Sequence, residues 1–238
     1  MRPKFIPPSK SHPMQHLTLK KIVDFRSRTE KGKKNLVRTW KRPPNPEPSE
    51  GGGDYWVSGL SALSKSFKEN DLVHASTRIK ELEKRYAEAE NKRTKDMYKR
   101  NINVLAQYQE ADLKRWRPDR KLDFPKVPKR NVTLTLSGLE VQLSPSQVFT
   151  FVKDGSEQVG GIWFVAKLNG FNSLELGMFA SILHRHLLRQ FAKTHKINAR
   201  YCLAVDTFNK LEVSYAQLED DEIADVLEPT LEEIKALL

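Results

Sequence analysis

The spacing of apolar residues changes near residue 120, and this change constrains the fold more than any other feature of the chain. Before it, apolar residues recur every three or four positions, as on one face of an α-helix. The longest such stripe comprises Leu72, Ala75, Ile79, Leu82, Tyr86 and Ala89. Beyond it, short runs such as 132–136 alternate apolar and polar residues, as strands do. We therefore expect an α+β fold, with a basic helical N-terminal region that contains a long helix, followed by a small, mostly antiparallel sheet with packed helices.

Proline, glycine and the apolar stripe also mark where segments begin and end. The stripe predicts one long helix over about 71–114, which Pro118 ends. Its apolar positions lapse at 90–96, so a break near 91–95 stays open. These signals divide the chain into a disordered arm (1–16), basic helices (17–42), a linker rich in proline and glycine (43–53), a helical region that contains the long helix (54–118) and an α+β domain with an acidic C-terminal helix (130–238).

Charge is divided unequally along the chain. Residues 1–130 contain 32 Lys and Arg against 16 Asp and Glu, whereas residues 131–238 contain 9 against 14. The net charge of +11 therefore combines +16 in the first part with −5 in the second. An excess of cations favours a nucleic acid, an anionic membrane surface or an acidic protein as partner. A membrane surface is disfavoured because the basic helices lack a broad apolar face opposite their cations.

The cations of the first half crowd into three clusters, and aromatic residues such as Tyr98 and Trp116 are interleaved with them. Lysine and arginine neutralise phosphates, and exposed aromatic rings can stack on bases. Packing of these rings in the core, and of Trp40 likewise, stays an alternative. The candidate nucleic-acid contacts are Lys33, Lys34, Arg38, Lys41, Arg93, Lys95, Lys99, Arg100, Lys114, Arg115 and Arg117. DNA and RNA, single and double strands, all stay open as ligands.

Motifs that would identify a chemistry are absent from the sequence. There is no phosphate-binding loop of the form GxxxxGK[ST], no HExxH and no GxSxG. His184 and His186 are two positions apart on a predicted helix, so they face different sides of it. Cys202 is the one cysteine, and its apolar surroundings in the sequence predict a buried side chain. We therefore expect no metal site and no cofactor, and we favour a non-enzymatic protein.

Two further features of the sequence bear on where in the cell the protein is located. The sequence has no run of about 18 apolar residues that would predict a membrane-spanning helix. Residues 1–10 are basic and contain three prolines but no apolar segment of the kind found in secretory signals. We therefore expect a cytoplasmic protein.

The predicted order of strand, strand, helix and strand over 145–206, with a lysine in a strand, resembles the core of restriction-endonuclease-like nucleases of the PD-(D/E)XK class. In that class an acidic residue stands two positions before the lysine. Here the lysine is Lys167 and position 165 is Val165, so this sequence departs from the motif. The resemblance implies Asp154, Glu157 and Lys167 as candidate catalytic residues and Mg²⁺ as the cofactor. Asp206 is a further candidate because it ends a predicted strand, where catalytic carboxylates are common. A metal-dependent nuclease with a degenerate motif is thus the alternative function.

Four stretches, 51–56, 148–151, 175–179 and 201–206, also resemble a bacterial cytosolic protein family without an assigned activity. That resemblance covers most of the chain and implies a bacterial cytosol as the setting, with no substrate or partner.

The apolar stripe and the acidic C-terminal segment leave further alternatives open. The stripe on the long helix must be buried, either within the same chain or against a protein partner or a second copy. The acidic residues of 219–233 either face solvent or dock on basic helices. A third function therefore stands beside the first two, in which the basic half docks an acidic protein.

Overall fold

The computed structural model describes residues 17–41, 55–125 and 132–238. The predicted arm at 1–16 and linker at 43–53 lie outside these ranges. Helices α1 to α8 span Leu19–Arg26, Glu30–Trp40, Val57–Glu69, Val73–Glu88, Lys92–Ala106, Ser173–Phe191, Tyr215–Glu219 and Leu227–Leu237. Strands β1 to β7 span Leu17–Thr18, Val132–Leu136, Leu139–Leu143, Gln147–Lys153, Ser156–Val165, Lys196–Asp206 and Leu211–Ser214. A 3-10 helix covers Leu113–Trp116.

The strands form two mixed sheets, which confirms the predicted α+β class. The larger sheet has the order β4-β5-β6-β7, and the smaller has the order β1-β3-β2. In the larger sheet β5 and β6 run parallel, while β4–β5 and β6–β7 are antiparallel pairs. Helix α6 connects the two parallel strands, as a parallel pair requires. The β4–β5 turn is an Asp-Gly hairpin, with positive φ at both Asp154 and Gly155.

Helices cover both faces of the larger sheet. On one face, Val165 and Ala204 pack with Phe179 of α6, in a core that also includes α1, α2 and α8. On the other face, strand residues such as Phe149 and Phe164 pack with α3, α4 and α5. The ring of Phe67 in α3 lies 5.6 Å from that of Phe149 and 6.1 Å from that of Phe164, centroid to centroid. The helical region 54–118 is therefore one layer of the α+β unit and shares its core.

The predicted long helix is wrong as a single element. The helix is interrupted between Glu88 and Lys92, and the resulting helices α4 and α5 pack against each other. Asn91 causes the new start because its side chain accepts hydrogen bonds from the backbone N–H groups of Arg93 and Thr94. The break that the lapse in the stripe left open is thus present.

The apolar stripe of α4 is buried within the same chain. Ala75, Ile79 and Leu82 are at most 6% exposed and pack with α3, α5 and the sheet. Of the two alternatives for this stripe, packing within the same chain is therefore the one observed for these three residues, whereas Tyr86 near the end of α4 is 37% exposed.

The acidic C-terminal helix docks on the basic helices of its own chain. Leu231 and Ile234 of α8 are fully buried in the core that contains α1 and α2. At the edge of this contact Lys33 Nζ lies 2.6 Å from a carboxylate oxygen of Glu233, and Arg26 donates to Thr230 Oγ1. Both alternatives left open by the sequence are therefore observed: α8 docks within the chain, whereas Glu219, Asp220, Asp221 and Glu222 face solvent.

Candidate nucleic-acid interface

The predicted basic half forms two separate surfaces. Helix α2, with Lys34 and Arg38, packs on the side of the larger sheet that α6 covers. Helix α5 and the 3-10 helix pack on the opposite side. The candidate contacts at 33–41 and those at 93–117 therefore do not form one site, because the sheet lies between them.

The α2 surface is partly neutralised by the C-terminal helix. Lys33 pairs with Glu30 and Glu233, and its side chain is only 13% exposed. Lys41 donates to the carbonyl oxygen of Leu237. Lys34 and Arg38 remain exposed, but the carboxylate of Glu233 beside Lys33 lowers the attraction that this surface offers to a polyanion.

Helix α5 carries the denser group of cations. We call Lys92, Arg93, Lys95, Lys99 and Arg100 the α5 surface; Asp96 is the one acidic residue among these nine positions. Lys92, Arg93 and Lys99 are exposed, and Lys95 and Arg100 are half-buried. Within the described parts of the chain, none of the three lysines forms an ion pair. Their positive charge is therefore available to a ligand.

Arginine groups gather around one tyrosine ring at this surface. The Cζ atoms of Arg93 and Arg100 each lie 5.5 Å from the ring centroid of Tyr55, and Arg93 Nε donates to Tyr55 Oη. Arg93 and Arg100 are seven positions apart, which is two helical turns, so they share one face of α5. Beside them an open cavity of about 440 Å³ is lined by Tyr55, Asn91, Lys92, Arg93, Asp96 and Arg100.

A buried asparagine fixes Tyr55 from beneath. Asn101 is 2% exposed, and its Nδ2 donates to the backbone carbonyls of Tyr55 and Met97. Its Oδ1 accepts the N–H of Gly59 at 2.7 Å. Gly59 is the third residue of α3, whose own N-cap residue makes no side-chain capping bond. Asn101 therefore caps α3 from a neighbouring helix and holds the start of that helix, with Tyr55, against α5.

The segment 114–117, which includes the end of the 3-10 helix and the residue after it, contains three cations with different surroundings. Lys114 is exposed. Arg115 pairs with Glu212 at 2.9 Å. Arg117 points inward: it donates to the carbonyl oxygen of Phe67 and lies 5.1 Å from the ring centroid of that residue. These inward contacts indicate a structural role for Arg117, so we withdraw it from the proposed contacts; burial also lowers its pKa.

The tryptophans of the basic half are packed in the core. Trp116 is 2% exposed and donates its indole N–H to Glu212. Trp40 is 5% exposed and lies beside Phe25 in the other core. Tyr98, predicted among the cations, is half-buried and packs against the core. Two tyrosines that the sequence did not indicate lie at the α5 surface: Tyr55, and Tyr86, whose ring centroid is 5.9 Å from Lys95 Nζ.

The candidate catalytic residues lie at opposite ends of the sheet. Asp154 is in the β4–β5 turn and Glu157 near the start of β5, whereas Lys167 follows the end of that strand. Ten residues of extended strand span roughly 30 Å. Asp154 and Glu157 therefore cannot act at the same site as Lys167.

Lys167 and Asp206 do lie near each other, at the carboxyl ends of the parallel strands, but both are engaged in holding loops. Lys167 Nζ lies 2.6 and 2.7 Å from the two carboxylate oxygens of Glu175, which also caps the start of α6. Asp206 is fully buried and accepts backbone N–H groups from Phe171, Phe208 and Asn209. Burial raises the pKa of Asp206, and these hydrogen bonds oppose the rise. The cluster is thus a structural clamp between two loops.

Several other predictions can be compared with the structure. Cys202 is buried, as predicted. No group of three or more metal-binding side chains occurs among the described residues. None of the helices in those ranges is long and apolar enough to cross a membrane.

Comparisons with known proteins give no further support for any assignment. No family model, no curated protein and no solved structure matches this chain. The resemblances to a bacterial family and to the nuclease core therefore stay predictions, and the geometry of the chain itself must support a function.

Proposed function

We propose that the protein binds nucleic acid without catalysing a reaction and that the α5 surface is its principal contact. One observation carries the proposal: five cations occupy nine consecutive positions of one helix, and their side chains reach solvent beside a single carboxylate. Neutralising phosphates with such cations releases the counterions of the nucleic acid, which drives binding.

The arrangement also carries a cost that a polyanion would remove. Lys95 and Lys99 are four positions apart on α5, and like charges at that spacing destabilise a helix by about 0.2–0.5 kcal/mol. A bound phosphate between them would replace this repulsion by two attractions. Lys114 of the 3-10 helix supplies a further positive charge on the same side of the larger sheet, beyond the C-terminal end of α5.

The test compares two pairs of lysines by fluorescence anisotropy. Labelled single-stranded and double-stranded DNA and RNA are titrated with the wild type, with Lys92→Ala/Lys99→Ala and with Lys31→Ala/Lys34→Ala. Both double variants remove two exposed lysines and the same net charge, but from opposite sides of the sheet. We expect the α5 pair to lose at least ten times more affinity at about 100 mM salt than the α2 pair. Equal losses would contradict the assignment to α5, and no binding by the wild type would refute the proposed function.

Two competing functions are tested with the same material. Poly-glutamate is added as a competitor. If the natural partner is an acidic protein, poly-glutamate should bind the α5 surface as tightly as a nucleic acid of equal charge. The DNA and RNA are also incubated with the protein and Mg²⁺ or Mn²⁺. Cleavage that Lys167→Ala abolishes would favour the nuclease alternative over the proposal.

A further inference from the structure

The cavity beside Tyr55 differs chemically from the rest of the basic surface. Three of its six lining residues are cations, Lys92, Arg93 and Arg100, and one is a carboxylate, Asp96. It lies at the N-terminal end of α5, where the helix dipole adds positive partial charge. Its volume of about 440 Å³ falls within the range of sites that hold small organic ligands.

The groups in this cavity suit a flat anionic ligand. A guanidinium is planar, binds phosphate with two parallel hydrogen bonds and stacks on aromatic faces. Two guanidiniums and a phenol ring meet here within 5.5 Å. A lone inorganic phosphate would bind the cations but has no planar group to stack on the ring of Tyr55 or on the guanidiniums beside it. A nucleotide uses both, because it carries a phosphate and a planar base.

The cavity is also held in place before any ligand binds. Asn101 bonds the backbone carbonyl of Tyr55, and Arg93 bonds its hydroxyl group. Ordering a side chain on binding costs about 0.5–1.5 kcal/mol, so a ring that is already fixed binds more tightly than a mobile one.

We propose that this cavity binds one unpaired nucleotide of a single-stranded nucleic acid, with the base stacked against Tyr55 and the guanidinium planes and the phosphate held by Lys92 and Arg100. Within a duplex the base faces are covered by neighbouring bases, so only an unpaired base can stack there. This inference rests on the proposed function and narrows it from nucleic acids in general to single strands.

The test replaces the ring while the charge is kept. Full-length wild type, Tyr55→Leu and Tyr55→Phe are titrated with a labelled single-stranded 20-mer and with the duplex of the same sequence, over a salt series. We expect Tyr55→Leu to weaken single-strand binding about 5- to 150-fold, the loss typical of one stacked base, without a change in salt dependence. Tyr55→Phe should retain most of the affinity, and duplex binding should be unaffected.

Three results distinguish failure of this inference from failure of the proposed function. If Tyr55→Leu binds single strands within twofold of wild type, while Lys92→Ala/Lys99→Ala weakens them, the basic surface is correct and the stacking site is refuted. An equal loss for duplex and single strand also refutes the stacking site. If the wild type binds neither ligand, the proposed function itself fails. Should Tyr55→Leu fold poorly by circular dichroism, Tyr55→Met replaces it, because it also removes the ring without changing the charge, and a loss confined to single strands is again the supporting result.

Discussion

Asn101 connects the stability of the fold with the position of Tyr55, because its side chain bonds the backbone of both Gly59 and Tyr55. Asn101→Ala deletes the acceptor for the Gly59 N–H and the donor for the carbonyls of Tyr55 and Met97. It leaves the buried Gly59 N–H near the start of α3 without this acceptor, in a helix whose own N-cap residue makes no side-chain capping bond.

The expected loss follows from these contacts. Removal of an N-cap costs about 1 kcal/mol. Each of the two further hydrogen bonds contributes about 0.5–1.5 kcal/mol net. The sum predicts that Asn101→Ala lowers the free energy of unfolding by about 2–4 kcal/mol, a large share of the total for a domain of ordinary stability.

Urea denaturation followed by circular dichroism measures this loss. Asn103→Ala is the matched control, since it makes the same substitution in the same helix at an exposed position. We expect the control to change stability by less than about 0.5 kcal/mol. If the two variants unfold at the same urea concentration, Asn101 does not cap α3, and the argument that it fixes Tyr55 loses its basis.

Three further outcomes are expected at other positions. His186 is fully buried, neither of its ring nitrogens has a hydrogen-bond partner among the described residues, and burial lowers its pKa. The folded state therefore binds fewer protons than the unfolded state below pH 6.5, so the free energy of unfolding should fall between pH 7.5 and pH 5.5. This fall should be up to about 1.4 kcal/mol larger in wild type than in His186→Leu. If urea denaturation shows the same pH dependence for both proteins, the prediction is contradicted. Gly170→Ala should lower the free energy of unfolding by at least about 2 kcal/mol, because its Cβ would lie 1.9 Å from Asn209 Nδ2. Gly155→Ala, also at positive φ but with open space around the added Cβ, should cost about 1 kcal/mol. Equal shifts in the midpoint of thermal unfolding would refute a steric origin of the difference. Arg117→Gln should cost about 1–3 kcal/mol of stability yet leave nucleic-acid affinity unchanged, and a tenfold loss of affinity would return this residue to the interface.

Sequence patterns predicted local structure well where a local cause exists. The change in apolar period gave the α+β class, because helices and strands bury side chains at different spacings. The Asp-Gly turn at 154–155 and the capping of α1 by Thr18 have equally local causes, a dipeptide that accepts positive φ and a hydroxyl group at the start of the helix. In each case the structure is determined by residues a few positions apart.

The candidate site was less predictable because it depends on tertiary contacts. Tyr55 and Arg93 are 38 positions apart, and no local pattern indicates that they meet. Charge along the chain could not show that α2 and α5 lie on opposite sides of a sheet formed mostly by later residues. The inward orientation of Arg117 depends on Phe67, which is 50 positions away. Sequence reasoning therefore found the cations of α5 but neither the ring among them nor their isolation from α2.

The salt dependence of binding tests the role of α5 most directly. The slope of log K against log salt concentration reports the number of phosphates neutralised, at about 0.7 per contact for single strands. We predict that Lys92→Ala/Lys99→Ala reduces the magnitude of this slope by about 1.4 relative to wild type, whereas Lys31→Ala/Lys34→Ala leaves it unchanged. A slope that falls equally in both variants, or in neither, would contradict a phosphate-binding surface on α5.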